Sequence, residues 1–170
     1  AAWGRHFIKE SIDDVEKSGF KVIYADTDSI VFILGNKTEQ DGLLLLDHLN
    51  KKLPEYMELE LEDFYTRGIF VMKRTEEIGA KKKYALINKD SRMKIIGFET
   101  VRRNWSFLAK TTQLKVLEII LREGRVDKAF LYVKDIIKNI REKNIPLNEF
   151  VIRTKLQKDI DNYLAIGPHV

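Results

Sequence analysis

The sequence predicts an α+β fold: a mixed part to about residue 98, followed by a mostly helical part. Two observations carry this. Before residue 98, short runs rich in Val, Ile, Tyr and Phe alternate with turn residues, as strands do. After it the apolar spacing changes to the helical period, over residues 105–122 and 126–141.

Taken in order, residues 2–17 read as a helix with Trp3, Phe7, Ile8, Ile12 and Val15 near one face, ended by "SGF". Residues 21–25 and 30–34 read as two strands joined by the turn Asp26-Thr27-Asp28-Ser29, with "GN" closing the second. A helix over 38–53 follows, capped by Thr38, carrying acids in its first turn and stopped near Pro54. "MELELED" (57–63) alternates apolar and acidic residues, the period of a half-exposed strand. Further strands are expected at 67–72, 83–87 and 94–98, the last two joined by the turn "NKDSR". In the first C-terminal helix Trp105 is expected in the core. In the second, Ala129, Phe130, Val133, Ile136, Ile137 and Ile140 form the expected core face.

With 170 residues the chain is long enough to bury a core, as one large domain or two small ones. It has no cysteine, which removes disulfides and thiolate metal sites, and no apolar run long enough to span a membrane. The N-terminus does not read as a signal peptide, so the cytoplasm is the expected location. The net charge of +4 conceals an asymmetry. Residues 1–72 carry 8 Lys/Arg against 14 Asp/Glu, residues 73–110 carry 11 against 4, and residues 111–170 carry 11 against 8. An acidic part that holds cations and a basic part that grips a polyanion would show this pattern, and so would ordinary solvated surface.

The chemistry concentrates in "YADTDS". Asp is a common turn residue because its side chain bonds nearby backbone, so Asp26 and Asp28 have a purely structural reading. They also have a chemical one. Residues two apart on a strand point to one side, and a hard divalent cation such as Mg²⁺ takes one or two carboxylates together with substrate phosphates. The run Lys81-Lys82-Lys83 has the same double aspect, as a charged strand edge or as a phosphate contact.

"YADTDS" resembles the catalytic-carboxylate hairpin of family B DNA polymerases, the archaeal replicative type above all. "AKKKYALI" (80–87), "VRRNWSFLAKTTQ" (101–113) and the closing "YLAIGPHV" (163–170) match the same family in the same order, and "AWGRHFIK" (2–9) is similar to its helix before the hairpin. The resemblance implies an antiparallel palm sheet with packed helices over residues 1–100 and the base of a mostly helical thumb over 101–170. It implies Asp28 as direct ligand of two catalytic Mg²⁺ ions, Asp26 assisting, and Tyr24, Thr27 and Ser29 supporting the turn. Lys81, Lys82, Lys83 and Tyr84 would lie against the primer-template. Arg102 and Arg103 would contact the DNA backbone or pair palm with thumb, and Lys155 and Lys158 would touch DNA from the thumb. Two positions depart from the family pattern: Ile96 and Asn104 stand where Arg and Asp are frequent.

The family's other essential Asp, its nucleotide-binding helix and its exonuclease have no counterpart in these residues. The resemblance therefore implies half an active site, acting on deoxynucleoside triphosphates only with a larger polymerase portion, in a cut fragment or in the small subunit of a split polymerase. An apolar surface left open for that partner is expected. Two other functions fit the residues less fully: a non-catalytic clamp on duplex DNA, and a stand-alone metal-dependent phosphohydrolase using Asp26 and Asp28.

Overall fold

A computed structural model describes residues 2–72 and 79–152. Lys155, Lys158 and the motif at 163–170 lie outside the described residues. The fold is α+β, and it divides into two compact units.

The first unit runs to Tyr65 and includes the stretch ending at Lys82. It opens with helix α1 (Ala2–Lys17), followed by strands β1 (Lys21–Ala25) and β2 (Ile30–Ile33) and helix α2 (Glu39–Asn50). β1 and β2 pair antiparallel as a two-stranded sheet, with Ala25 opposite Ile30 and Lys21 opposite Ile33. The register shifts between Val22 and Tyr24, leaving Ile23 as an extra residue. Val15, Phe20, Leu45 and Leu49 form the buried core, against which Val22, Phe32, Leu34 and Leu59 pack. On α1 the buried face begins after Trp3, which is 73% exposed and stacks on Phe7.

Helix α2 starts where its cap requires. Thr38 accepts from the Asp41 N–H, and the Asp41 carboxylate accepts from the Thr38 N–H, so two otherwise orphaned donors are satisfied. The strand expected at 57–63 does not form. Its backbone finds a side chain instead: Asn50 donates to the Leu59 carbonyl and accepts from the Leu59 N–H, at 2.9 and 2.8 Å. Leu59 is drawn to the core while Glu58, Glu60 and Glu62 stay exposed, but Leu61 is exposed too, so the alternation holds only as far as Glu60.

The second unit comprises Thr66–Val71 and the chain from Lys83 onward. Strands β3 (Tyr65–Met72), β4 (Gly79–Asn88) and β5 (Met93–Ile96) form a sheet with β4 in the centre and antiparallel to β5. The turn at 88–92 is closed by Asn88, whose N–H donates to the Arg92 carbonyl and whose side chain accepts from the Arg92 N–H. A 3₁₀ turn (Glu99–Val101) leads to helix α3 (Phe107–Glu118), a π-helical turn (Ile119–Glu123) and helix α4 (Val126–Arg141). Ala85, Ile87, Phe98, Leu117 and Leu121 make the buried core.

Three expectations for this region need correction. Trp105 lies outside the helix and is 41% exposed, because Ser106 accepts from the Ala109 N–H and sets the helix start two residues later, at Phe107. The helix does not continue unchanged to Arg122. It widens into the π turn, whose last carbonyls are capped by Arg67: one guanidinium nitrogen donates to the carbonyls of Leu121 and Arg122, beside the left-handed Gly124. On α4 only Ala129 of the expected core face is buried, whereas Phe130, Ile137 and Ile140 are exposed. No helix among the described residues is long and apolar enough to cross a membrane.

Candidate active-site hairpin and basic segment

The tip of the β1–β2 hairpin holds its own shape. The Asp26 N–H donates to the Ser29 carbonyl, closing the turn. One Asp26 carboxylate oxygen accepts from the Thr27 N–H at 2.8 Å and from the Thr27 hydroxyl at 3.2 Å. The other lies 3.6 Å from the Lys82 ammonium. Lys82 makes a second contact, on β1 itself, its main-chain N–H donating to the Tyr24 hydroxyl. Tyr24 and Asp26 are two apart, so the strand period turns both to one side, where one residue meets both. The Thr27 N–H, helped by Lys82, holds the Asp26 carboxyl below its ordinary value and so ionised.

Asp28 differs. It is exposed and has no hydrogen-bond or ion-pair partner among the described residues. Thr27 is exposed and Ser29 half-buried. The two carboxylates thus have separate situations: Asp26 is fixed by the turn, Asp28 is presented outward. Such a donor set is all oxygen, which suits a hard cation. Among the described residues no group of three or more His, Asp or Glu side chains could hold a metal ion, so these two carboxylates are not part of a larger cluster there.

The basic segment is equally uneven. Lys81 lies on β4. Lys82 has a positive φ of 55°, a conformation unfavourable for a residue with a Cβ, and is held there by the two contacts just described. In the second unit the Lys83 ammonium meets Glu99 at 2.6 Å and lies 5.4 Å from the Phe98 ring centroid. Glu99 also accepts from the Gln113 amide at 2.6 Å, and the Gln113 oxygen accepts from the Thr100 N–H. Tyr84 is buried, stacks on Phe70 and has Lys94 above its ring. Arg102 and Arg103 are exposed and unpaired among the described residues, next to exposed Val101, Trp105 and Phe107.

Sequence reasoning found the turn because its chemistry is local. It missed Glu99 and Gln113, whose partners are 16 and 14 residues away. The signal for Gln113 was its place at the end of the segment 101–113, and Glu99 stands two residues before that segment begins.

A family model for DNA polymerase family B matches residues 4–170. The chain belongs to that family. It is 42% identical to a DNA polymerase of Methanocaldococcus jannaschii over 98% of the chain and 10% of that protein. It is 40% identical to a DNA polymerase of Thermococcus gorgonarius, over 99% of the chain and 22% of that protein. A DNA polymerase 1 of Pyrococcus abyssi is 42% identical, over 99% of the chain and 21% of its own length. This family B chain therefore spans about a tenth to about a fifth of the length of these archaeal relatives.

Proposed function

We propose that the chain supplies one part of a DNA-directed DNA polymerase: the C-terminal palm over residues 1–100 and the first part of the thumb over 101–170. A larger portion or subunit would carry the fingers, the exonuclease and another catalytic Asp, and the assembly would work in the cytoplasm on primer-template DNA and deoxynucleoside triphosphates. The observation that carries this reading is the hairpin of a family B chain whose Asp28 is exposed and, among the described residues, unpartnered beside an anchored, ionised Asp26. Two further facts support it. The hairpin stands as a two-stranded sheet with Ile23 and Ile33 exposed, an arrangement marginal by itself and suited to completion by another part. The apolar side of α4 is also uncovered at Phe130, Ile137 and Ile140.

In this reading Asp28 and Asp26 are the residues of this chain that hold Mg²⁺, with a further carboxylate from the other portion. When bound, the two ions would supply activation of the primer 3′-hydroxyl and neutralisation of the leaving pyrophosphate. The residues themselves do three things. Asp28 offers its carboxylate without first breaking a bond within the described residues. Thr27, Ser29 and Tyr24 fix the turn, and Lys82 steadies Asp26. Lys81, Lys82, Lys83, Arg102 and Arg103, with Lys155 and Lys158 from the thumb, hold the primer-template by charge, which reads no sequence and weakens steeply with salt, and Tyr84 adds an uncharged contact beside them.

Primer extension with Mg²⁺ and all four nucleotides tests the proposal. The chain is assayed alone and mixed with the separately made remainder of its polymerase, with Asp28→Asn as control. Synthesis only in the mixture, abolished by the substitution, is the expected result. Synthesis undiminished in the substituted mixture would remove Asp28 from the site. No synthesis, with salt-sensitive duplex binding intact, would favour the non-catalytic clamp.

A further inference from the structure

The Lys83–Glu99 pair presents a difficulty for a DNA-binding surface. A carboxylate placed beside a polyanion repels it, and here it also cancels the charge of the lysine expected to grip. A surface selected for charge alone would omit Glu99.

The arrangement around the pair gives a reason for keeping it. A lysine on a strand ordinarily samples many rotamers, and ordering it against a ligand costs entropy. Lys83 is already ordered: Glu99 holds its ammonium at 2.6 Å, and its side chain is only 27% exposed. Glu99 is more enclosed still, at 14%, with both carboxylate oxygens in use. Gln113 on α3 donates to Glu99, and Gln113 is itself oriented by the Thr100 N–H. The chain of contacts therefore runs from backbone, through a carboxamide and a carboxylate, to an ammonium that retains an open side. One of its three N–H donors is spent on Glu99, which leaves the others for a ligand. The strong depression of the Glu99 pKa agrees with a carboxylate held charged by these donors.

We propose that Glu99 and Gln113 are positioning residues, which pre-order the Lys83 ammonium for the duplex at the cost of a local negative charge. The inference rests on the proposed primer-template role of the basic segment and deepens it.

The two views predict opposite signs. If Glu99 acts only through its charge, Glu99→Gln removes repulsion and tightens binding. If it positions Lys83, the same change weakens binding, about threefold to tenfold, although the protein has become more positive. The 170-residue chain is titrated with a fluorescent 20-base-pair duplex at several salt concentrations between about 50 and 200 mM, a range over which lost phosphate contacts become visible in the slope. Lys83→Ala should lower the slope of log affinity against log salt by about one. Glu99→Gln should lower it in the same direction, and the double variant should lose no more than Lys83→Ala alone. Gln113→Leu, which leaves the Lys83–Glu99 pair in place, should give a smaller loss and serves if Glu99→Gln fails to fold.

Tighter binding by Glu99→Gln, or a lower melting temperature with an unchanged salt slope in both the Glu99 and Gln113 variants, overturns the positioning role while leaving the functional reading intact. Absence of salt-dependent duplex binding by the unsubstituted chain, or an unchanged slope in Lys83→Ala, overturns the role of this lysine and the inference with it.

Discussion

The Lys82 N–H donates to the Tyr24 hydroxyl at 2.9 Å, tying the head of β4 to β1. The bond is specific to a phenol at that position. Tyr24→Phe keeps the ring and removes the acceptor, leaving Lys82 in its positive-φ conformation with one anchor fewer. Because the donor remains accessible to water, the loss should be modest, about 0.5–1.5 kcal/mol. Urea unfolding of the two proteins measures it, and an unchanged midpoint would mean that the contact does not hold Lys82 in solution.

Asp26 and Asp28 should separate in a stability assay as they do in geometry. Asp28→Asn removes no bond among the described residues and should leave stability within about 0.5 kcal/mol. Asp26→Asn weakens the Thr27 and Lys82 contacts and should melt measurably lower. Calorimetry of both variants decides the matter. A large loss from Asp28→Asn would assign that residue to the fold rather than to a ligand.

Acid should dissolve the Lys83–Glu99 pair in a defined window. Glu99 is lowered from 4.5 to about 2, first by the Lys83 hydrogen bond and then by that of Gln113. A carboxyl depressed in the folded state stabilises fully above its unfolded value, and that stability is lost as pH falls through the folded one. The stability gap between the unsubstituted chain and Glu99→Gln should therefore be constant near neutrality, at about 1–2 kcal/mol after allowance for solvent screening. It should close between about pH 4.5 and pH 2. Denaturant titrations at four or five pH values follow it. A gap that persists unchanged at the acid end would contradict the assigned pair.

The Thr112 hydroxyl is buried without a hydrogen-bond partner among the described residues. Thr112→Val keeps the branched shape and discards an unsatisfied polar group, so it should be neutral or stabilising by up to about 2 kcal/mol. A fall in melting temperature would show that the hydroxyl has a partner in solution.

Local signals were readable in the sequence, and distant ones were not. The Asp26–Ser29 turn, the Thr38 cap and the bounds of α4 each depend on a few neighbouring residues, and each stands where the spacing puts it. Trp105 was misjudged because apolar periodicity runs straight through a cap, and Ser106 outweighs it by satisfying an N–H. The strand pattern at 57–63 marks Leu59 as inward and the glutamates as outward but fails at Leu61, which is exposed, and spacing does not say whether the backbone has a strand beside it. In the site the acids were legible as a pair of turn residues. Their unequal state was legible only in part: Thr27, a neighbour, holds Asp26, but the Lys82 contact comes from more than fifty positions away.

The Asn50 carboxamide has a consequence for solubility. A stretch with strand-like alternation and no strand beside it is the kind of segment that recruits a second molecule edge to edge. Here the rung at Leu59 is already taken by an amide, and the outward positions Glu58, Glu60 and Glu62 would set like charges against any arriving copy. The amide occupies the backbone at Leu59 and the three glutamates supply the repulsion, so the stretch discourages pairing with its own kind.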